Sequence, residues 1–259
     1  MKRLFLLFVL IACTAQAKVK PAPGPDSVLV MNVATGQIEY ERNADQVRSI
    51  ASITKLVTAM VALDHDRDLD KKLMLSTRAS TRLVKTYYTR RQLLEALLIN
   101  SDNAAAETLA EDFPGGRAAF VAMMNWYAQN WELPNTHFAD PSGLSPFNVS
   151  TAREVADLVN TASGYWLIQD IGTKKQQMLE TKYKKKIRKI QLHHTSGKIL
   201  EFDNVVISKT GLTSSAGWCV AMLVGKYRKE FAIVILGAKN KDARYNTIKN
   251  LMYNHIVDN

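Results

Sequence analysis

The chain has 259 residues, 47% of them hydrophobic and 22% charged, with a formal net charge of +10. This composition excludes a disordered or low-complexity polypeptide, and the length suits one large domain with a complete core. The positive excess favours an anionic partner.

Residues 1–17 read as a signal peptide. Lys2 and Arg3 form a basic start, Leu4 to Ala12 an apolar stretch, and Ala15-Gln16-Ala17 a small-residue pattern with cleavage expected after Ala17. The apolar stretch is too short for a permanent span, and no later segment approaches the ~20 apolar residues of a transmembrane helix. Leu10-Ile11-Ala12-Cys13 also fits a lipoprotein cleavage box, in which Cys13 would carry lipid. With Cys13 removed, Cys219 is the only cysteine of residues 18–259, so no internal disulfide is expected. Its setting, GWCVAMLVG, reads as a buried strand and an inert thiol.

After Pro21, Pro23 and Pro25, DSVLVMNVATGQIEYERN alternates apolar residues around Ala34-Thr35-Gly36, predicting a β-hairpin. Ile53, Leu56, Val57, Met60 and Val61 are spaced for a helix from Ser52 to about Leu63. Helical patterns continue through RRQLLEALLIN, NAAAETLAED, GRAAFVAMMNWYAQNW and TAREVADLVNTA, the last capped by Ser150 or Thr151. They define an all-α block over about residues 66–165, interrupted by the loop HFADPSGLSPFN.

KKQQMLETKYKKKIRK, residues 174–189, holds much of the charge excess and reads as a solvated hairpin or ribbon. The other reading is a surface that touches wall polymer or lipid headgroups. DNVVISKT, GWCVAMLVGK and EFAIVILGA read as antiparallel strands, the last two joined around Tyr227 to Glu230. In DARYNTIKNLMYNHI, Tyr245, Ile248, Leu251, Met252 and Ile256 share one face of a terminal helix packed on the sheet. The expected picture is a mostly antiparallel sheet built from both ends of the chain, with the helical block inserted and a cleft at the junction.

ASITKLVTAM places Ser52 and Lys55 three positions apart, on one helical face. A serine hydroxyl is a poor nucleophile unaided, and a desolvated lysine can lose its proton and act as its base. Alone, the pair is equally a helix cap and a surface cation. Ser101-Asp102-Asn103 between two helices and Lys209-Thr210-Gly211 at a strand end follow in the order S-x-x-K, S-D-N, K-T-G. Three such motifs in order, each in its expected context, carry far more weight than any one of them.

With NVATGQIEYERN, NSDNAAAE, NTHFADPSGLS and ISKTGLTSSAGWC around those motifs, the sequence from about Val28 to the C-terminus resembles the low-molecular-mass penicillin-binding proteins. These are serine D-alanyl-D-alanine peptidases acting on peptidoglycan. The resemblance implies an α/β (α+β) fold of the β-lactamase/transpeptidase type, with a five-stranded antiparallel sheet flanked by terminal helices and residues 18–259 as the catalytic domain. It implies that Ser52 attacks a D-Ala carbonyl to form an acyl-enzyme while Lys55 takes its proton. Ser101 would relay a proton to the leaving amine, and Asn103 would hold Lys55 and the substrate amide. Lys209 would keep Lys55 poised through its charge, Thr210 would bind substrate carboxylate or amide, and Gly211 would let the substrate backbone lie along the strand edge. The oxyanion hole would be the N–H groups of Ser52 and Leu212.

The implied partners are peptidoglycan stem peptides and, as covalent inhibitors, β-lactams, in the periplasm and without nucleic acid, cofactor or metal. The five histidines lack H-E-x-x-H spacing, and His193-His194 reads as an exposed pair. Residues 104–208 lack the E-x-x-x-N segment that deacylates class A β-lactamases, so slow turnover of penicillin is expected. The carboxypeptidase group of the family carries a further β-rich domain after the catalytic one. This chain stops a strand pair and a helix beyond K-T-G, which favours the D,D-endopeptidase group over the carboxypeptidases. A β-lactamase and a penicillin sensor without turnover are the remaining readings.

Overall fold

The computed structural model describes residues 27–226 and 228–257. The signal segment, Cys13 and Tyr227 lie outside the described residues.

The chain opens with the expected hairpin, β1 (Ser27–Asn32) and β2 (Ile38–Arg42), followed by the short β3 (Arg48–Ser49). The sequence predicts an α-helix starting at Ser52. Instead Ala51–Thr54 form a 3-10 turn, and α1 runs from Lys55 to His65. The tighter turn still stacks residues three apart, so Ser52 and Lys55 keep their common face. Two short strands, β4 (Lys72–Met74) and β5 (Tyr87–Thr89), pair before α2 (Arg90–Ile99). Thr89 and Gln92 form a reciprocal capping box at the start of α2. Helices α3 (Asn103–Glu111) and α4 (Gly116–Asn130) follow, and the loop after them ends in β6 (Val149–Ser150), paired with β3. Of the two predicted caps of α5 (Ala152–Ser163), Thr151 is the one that accepts from the Glu154 N–H.

Beyond α6 (Trp166–Gly172), the basic run forms an antiparallel hairpin of β7 (Gln176–Tyr183) and β8 (Lys186–His193), most of it exposed. Gln92 Nε2 and Thr86 Oγ1 donate to the Glu180 and Lys182 carbonyls and fix the hairpin beside α2. Then come β9 (Val205–Thr213), β10 (Gly217–Lys226), β11 (Lys229–Ala238) and the terminal helix α7 (Lys241–Met252).

The main sheet is antiparallel with strand order β2-β1-β11-β10-β9, so the first strand pairs with the last and β9 lies at an edge. Strand periodicity divides its residues between two cores. Val28, Val30, Val220, Met222, Ile233 and Ile235 pack beneath Ile248, Leu251 and Ile256 of the C-terminal segment. Leu29, Cys219, Ala221, Ala232 and Val234 face the opposite way, against a larger core that includes α1, α2, α3 and α5. Strands covered on both faces read as continuous apolar runs, which is why EFAIVILGA lacks alternation. Cys219 is fully buried, as its setting predicts.

Inside the helical layer, the fully buried Arg90 donates through one guanidinium nitrogen to Asp66 and Asp112, both at 2.6 Å, and through Nε to the Asp68 carbonyl. It joins the start of α2 to the end of α3 and to the turn after α1. Removing one member of a buried ionic network leaves the others uncompensated. Arg90→Ala is expected to lower stability by about 3 kcal/mol in urea unfolding; a change below ~1 kcal/mol would show that water replaces the guanidinium.

Candidate active site

Four segments meet at the N-terminal end of α1. The 3-10 turn presents the half-buried Ser52, and Lys55, three residues on, is fully buried. The Lys55 ammonium has three hydrogens, and three acceptors surround it. These are Ser52 Oγ at 2.9 Å, Asn103 Oδ1 at 2.8 Å, and the Ser142 carbonyl in a short contact. Burial pushes the Lys55 pKa down to about 7, against the opposing pull of the Asp140, Asp102 and Glu107 carboxylates. An amine poised near neutrality beside a serine hydroxyl can accept its proton.

Ser101 takes a left-handed backbone conformation at φ 58°, sharply ending the α2 connection. Asp102 then caps α3 by accepting from the Ala105 N–H, and Asn103 opens the helix facing Lys55. The S-D-N stretch is therefore a cap and turn as well as part of the site. Lys209, fully buried on β9, donates to Ser101 Oγ and to the Thr210 carbonyl, each at 2.9 Å. Burial first, then the Lys55 and Arg244 charges, hold its pKa well below the usual lysine range. Burial is the first cause of the depression in both lysines, and their mutual repulsion disfavours both carrying a charge at once.

The Thr210 hydroxyl donates to Thr195 Oγ at 2.8 Å. A Cβ on Gly211 would lie 2.8 Å from the Ile50 carbonyl and 3.1 Å from the Ser52 nitrogen. Glycine is thus required for β9 to press against the backbone bearing the nucleophile, a closer reason than the passage of substrate along the strand. Leu212 is opposite Trp218 on the edge strand, with its side chain half exposed.

Sequence reasoning missed the PSGLS loop as machinery. Asp140 gathers it, accepting from the N–H groups of Ser142, Gly143 and Ser145 and from the Ser142 hydroxyl. Asn148 ties it to the 3-10 turn before α1 by donating to Thr54 Oγ and the Asp140 carbonyl. Gly143, at φ 81°, sits so close to the Ala51 carbonyl that a Cβ would overlap it. The Asp-Pro-Ser-Gly turn chemistry was a visible signal for the bend, but no side chain advertises that a backbone oxygen binds Lys55. Thr195, which meets Thr210, was missed as well. The expectation of an exposed His193-His194 pair holds for His193 only. His194 is buried because the chain turns inward where β8 ends; its Nδ1 accepts from the Ser196 N–H, and burial with the Lys209 charge lowers its pKa to about 4.

A serine held by a buried lysine, beside a second serine–lysine pair at the edge of this sheet, defines a serine acyl-transfer enzyme with an amine where other serine hydrolases use histidine. Comparison with known proteins narrows the class. The model of the D-alanyl-D-alanine carboxypeptidase family matches residues 14–240, and the chain belongs to this family of serine D,D-peptidases. It is 33% identical over 242 residues to a D-alanyl-D-alanine endopeptidase of Escherichia coli, covering 89% of this chain and 77% of that one. The Streptomyces DD-transpeptidase superposes with a TM-score of 0.83 at 27% identity, covering 91% of this chain and 98% of that one. Penicillin-binding protein D2 of Listeria monocytogenes, in its cefotaxime-bound form, superposes at 0.76 with 28% identity, covering 88% and 95%. The low-molecular-mass penicillin-binding protein resemblance and the five-stranded sheet expected from the sequence are both borne out.

Gly143→Ala is expected to displace the Ala51–Ser52 backbone and slow acylation by a fluorescent penicillin about 100-fold, since ångström-scale misplacement costs that much. Labelling at the unaltered rate would show that the loop yields instead.

Proposed function

We propose that the protein forms an acyl-enzyme on Ser52 and is a D,D-endopeptidase cleaving D-Ala-linked cross-links between peptidoglycan stem peptides. The observation that carries this reading is the fully buried Lys55 amine 2.9 Å from Ser52 Oγ. Neutral Lys55 takes the hydroxyl proton as Oγ bonds to the D-Ala carbonyl carbon. The N–H groups of Ser52 and Leu212 receive the oxyanion, the first aided by the helix end behind it. Collapse breaks the C–N bond; Ser101, hydrogen-bonded to Lys209, relays to the departing amine the proton that Lys55 took from Ser52, which leaves Lys55 neutral. Asn103 holds Lys55 and the substrate amide, Thr210 the substrate carboxylate or amide. Water then hydrolyses the ester: neutral Lys55 accepts a proton from the attacking water and returns it to Ser52 Oγ as the acyl group leaves.

The endopeptidase reading draws on the name of the Escherichia coli relative. The description of the family itself favours a second reading, a carboxypeptidase releasing terminal D-Ala. β-Lactams acylate the same serine on this account, and the cefotaxime-bound relative supports that. Residues 1–17 would direct the chain to the periplasm, with residues 18–259 as the catalytic domain and Cys13 as the site of lipid attachment if the alternative cleavage box is used. The exposed hairpin of residues 174–189 offers cations to anionic envelope polymers. Among the described residues no helix is long and apolar enough to cross a membrane.

Ser52→Ala is expected to abolish covalent labelling by fluorescent penicillin, while the wild-type protein converts cross-linked muropeptide dimers to monomers identified by mass. Labelling that survives in the variant would place the nucleophile elsewhere, and a wild-type protein that acylates but neither splits dimers nor releases terminal D-Ala would be a sensor.

A further inference from the structure

A cavity of about 440 Å³ adjoins the catalytic residues, its lining including Thr81, Arg82, Ser101, Asp102, Asn103 and Thr195. Its position relative to the scissile bond follows from two of these. Ser101 is the group assigned above to protonate the leaving amine, and Thr195 accepts from Thr210, assigned to the substrate carboxylate. The space therefore opens on the leaving-group side. A single alanine leaving group would fill little of it, whereas the leaving partner of a cross-link is a whole peptide, bearing at least one free carboxylate.

The cavity presents one exposed cation, Arg82. No side-chain hydrogen bond or ion pair engages it among the described residues, yet its backbone is well anchored. Thr81 donates to Asp102 Oδ2 at 2.6 Å, and the next residue, Leu83, is buried and donates its N–H to Thr81 Oγ at 2.9 Å. No hydrogen bond or ion pair joins the guanidinium to the buried Asp102 carboxylate, which accepts from Thr81 and from the Ala105 N–H. A planar guanidinium suits paired hydrogen bonds to a carboxylate, and here it stands at the wall of a polar cavity.

We infer that this cavity is the subsite for the leaving strand of the cross-link, and that Arg82 pairs with a carboxylate of that strand. The inference rests on the endopeptidase reading and adds a physical reason for it. A carboxypeptidase releasing one D-Ala presents only that residue's own carboxylate, assigned above to Thr210, whereas the longer leaving strand of a cross-link can bring a further carboxylate to Arg82.

The test compares full-length wild-type protein with Arg82→Ala and Arg82→Lys on three substrates. These are a cross-linked muropeptide dimer, the same dimer with its carboxylates amidated, and a short peptide ending in D-Ala-D-Ala. Arg82→Ala is expected to lower kcat/KM on the free dimer roughly tenfold more than on the short peptide, the worth of one charge-assisted contact. It should also erase the wild-type preference for the free over the amidated dimer, and Arg82→Lys should restore part of both. Equal losses on dimer and short peptide, or a preference that survives Arg82→Ala, would overturn the inference while leaving the endopeptidase reading intact. A wild-type protein that releases D-Ala but splits no dimer would overturn both.

Discussion

Lys55 carries its amine into a position with no solvent exposure, and the rest of the site is arranged around the consequences of that burial. A buried ammonium is unfavourable unless its hydrogens are matched, and here each of three hydrogens has an acceptor drawn from a different part of the chain. The match is incomplete as electrostatics, because no carboxylate touches the amine, so the proton is held weakly and the pKa falls to about 7. The folded chain binds this proton less tightly than an unfolded chain with an ordinary lysine. The group therefore destabilises the fold increasingly as pH drops from 10.5 towards 7, by about 5 kcal/mol below that point. That cost is inseparable from function, since the same weak hold on the proton makes Lys55 a usable base.

Holding the amine in place requires that remote segments converge closely. Asn103 lies 48 positions from Lys55 and Ser142 lies 87, while Lys209 reaches Ser101 across 108. Two glycines make the convergence possible. Gly211 lets edge strand β9 press on the backbone of the nucleophile, and Gly143 lets the PSGLS loop close over Ala51. The buried Arg90 network and the two-sided sheet supply the rigid frame behind them. Precision at the site is therefore a property of packing between four segments rather than of any one motif.

Much of this was legible in the sequence because the chemistry is concentrated in side chains with fixed spacing. S-x-x-K, S-D-N and K-T-G each fall on a structural boundary whose caps and strand ends are recognisable, and the period change after residue 204 marked the sheet. What stayed hidden was carried by the backbone or by tertiary placement. The Ser142 carbonyl has no residue signature, and the role of Gly143 is set by an approach to Ala51 that only the fold creates. The inward turn that buries His194 is decided by where β8 ends, one residue earlier. The 3-10 turn at Ser52 shares its apolar spacing with a plain helix start, so the sequence does not separate the two. Arg82 reads as one more surface arginine until the cavity beside Ser101 is visible.

The most direct test of this account is the titration of Lys55 itself, followed through the Nζ resonance of isotopically labelled lysine in the native protein and assigned by its loss in Lys55→Arg. A midpoint near pH 7 is predicted, with the amine neutral above it and able to draw the Ser52 proton. A midpoint near the ordinary lysine value of 10.5 would contradict the account, because a permanently protonated Lys55 has no place for that proton.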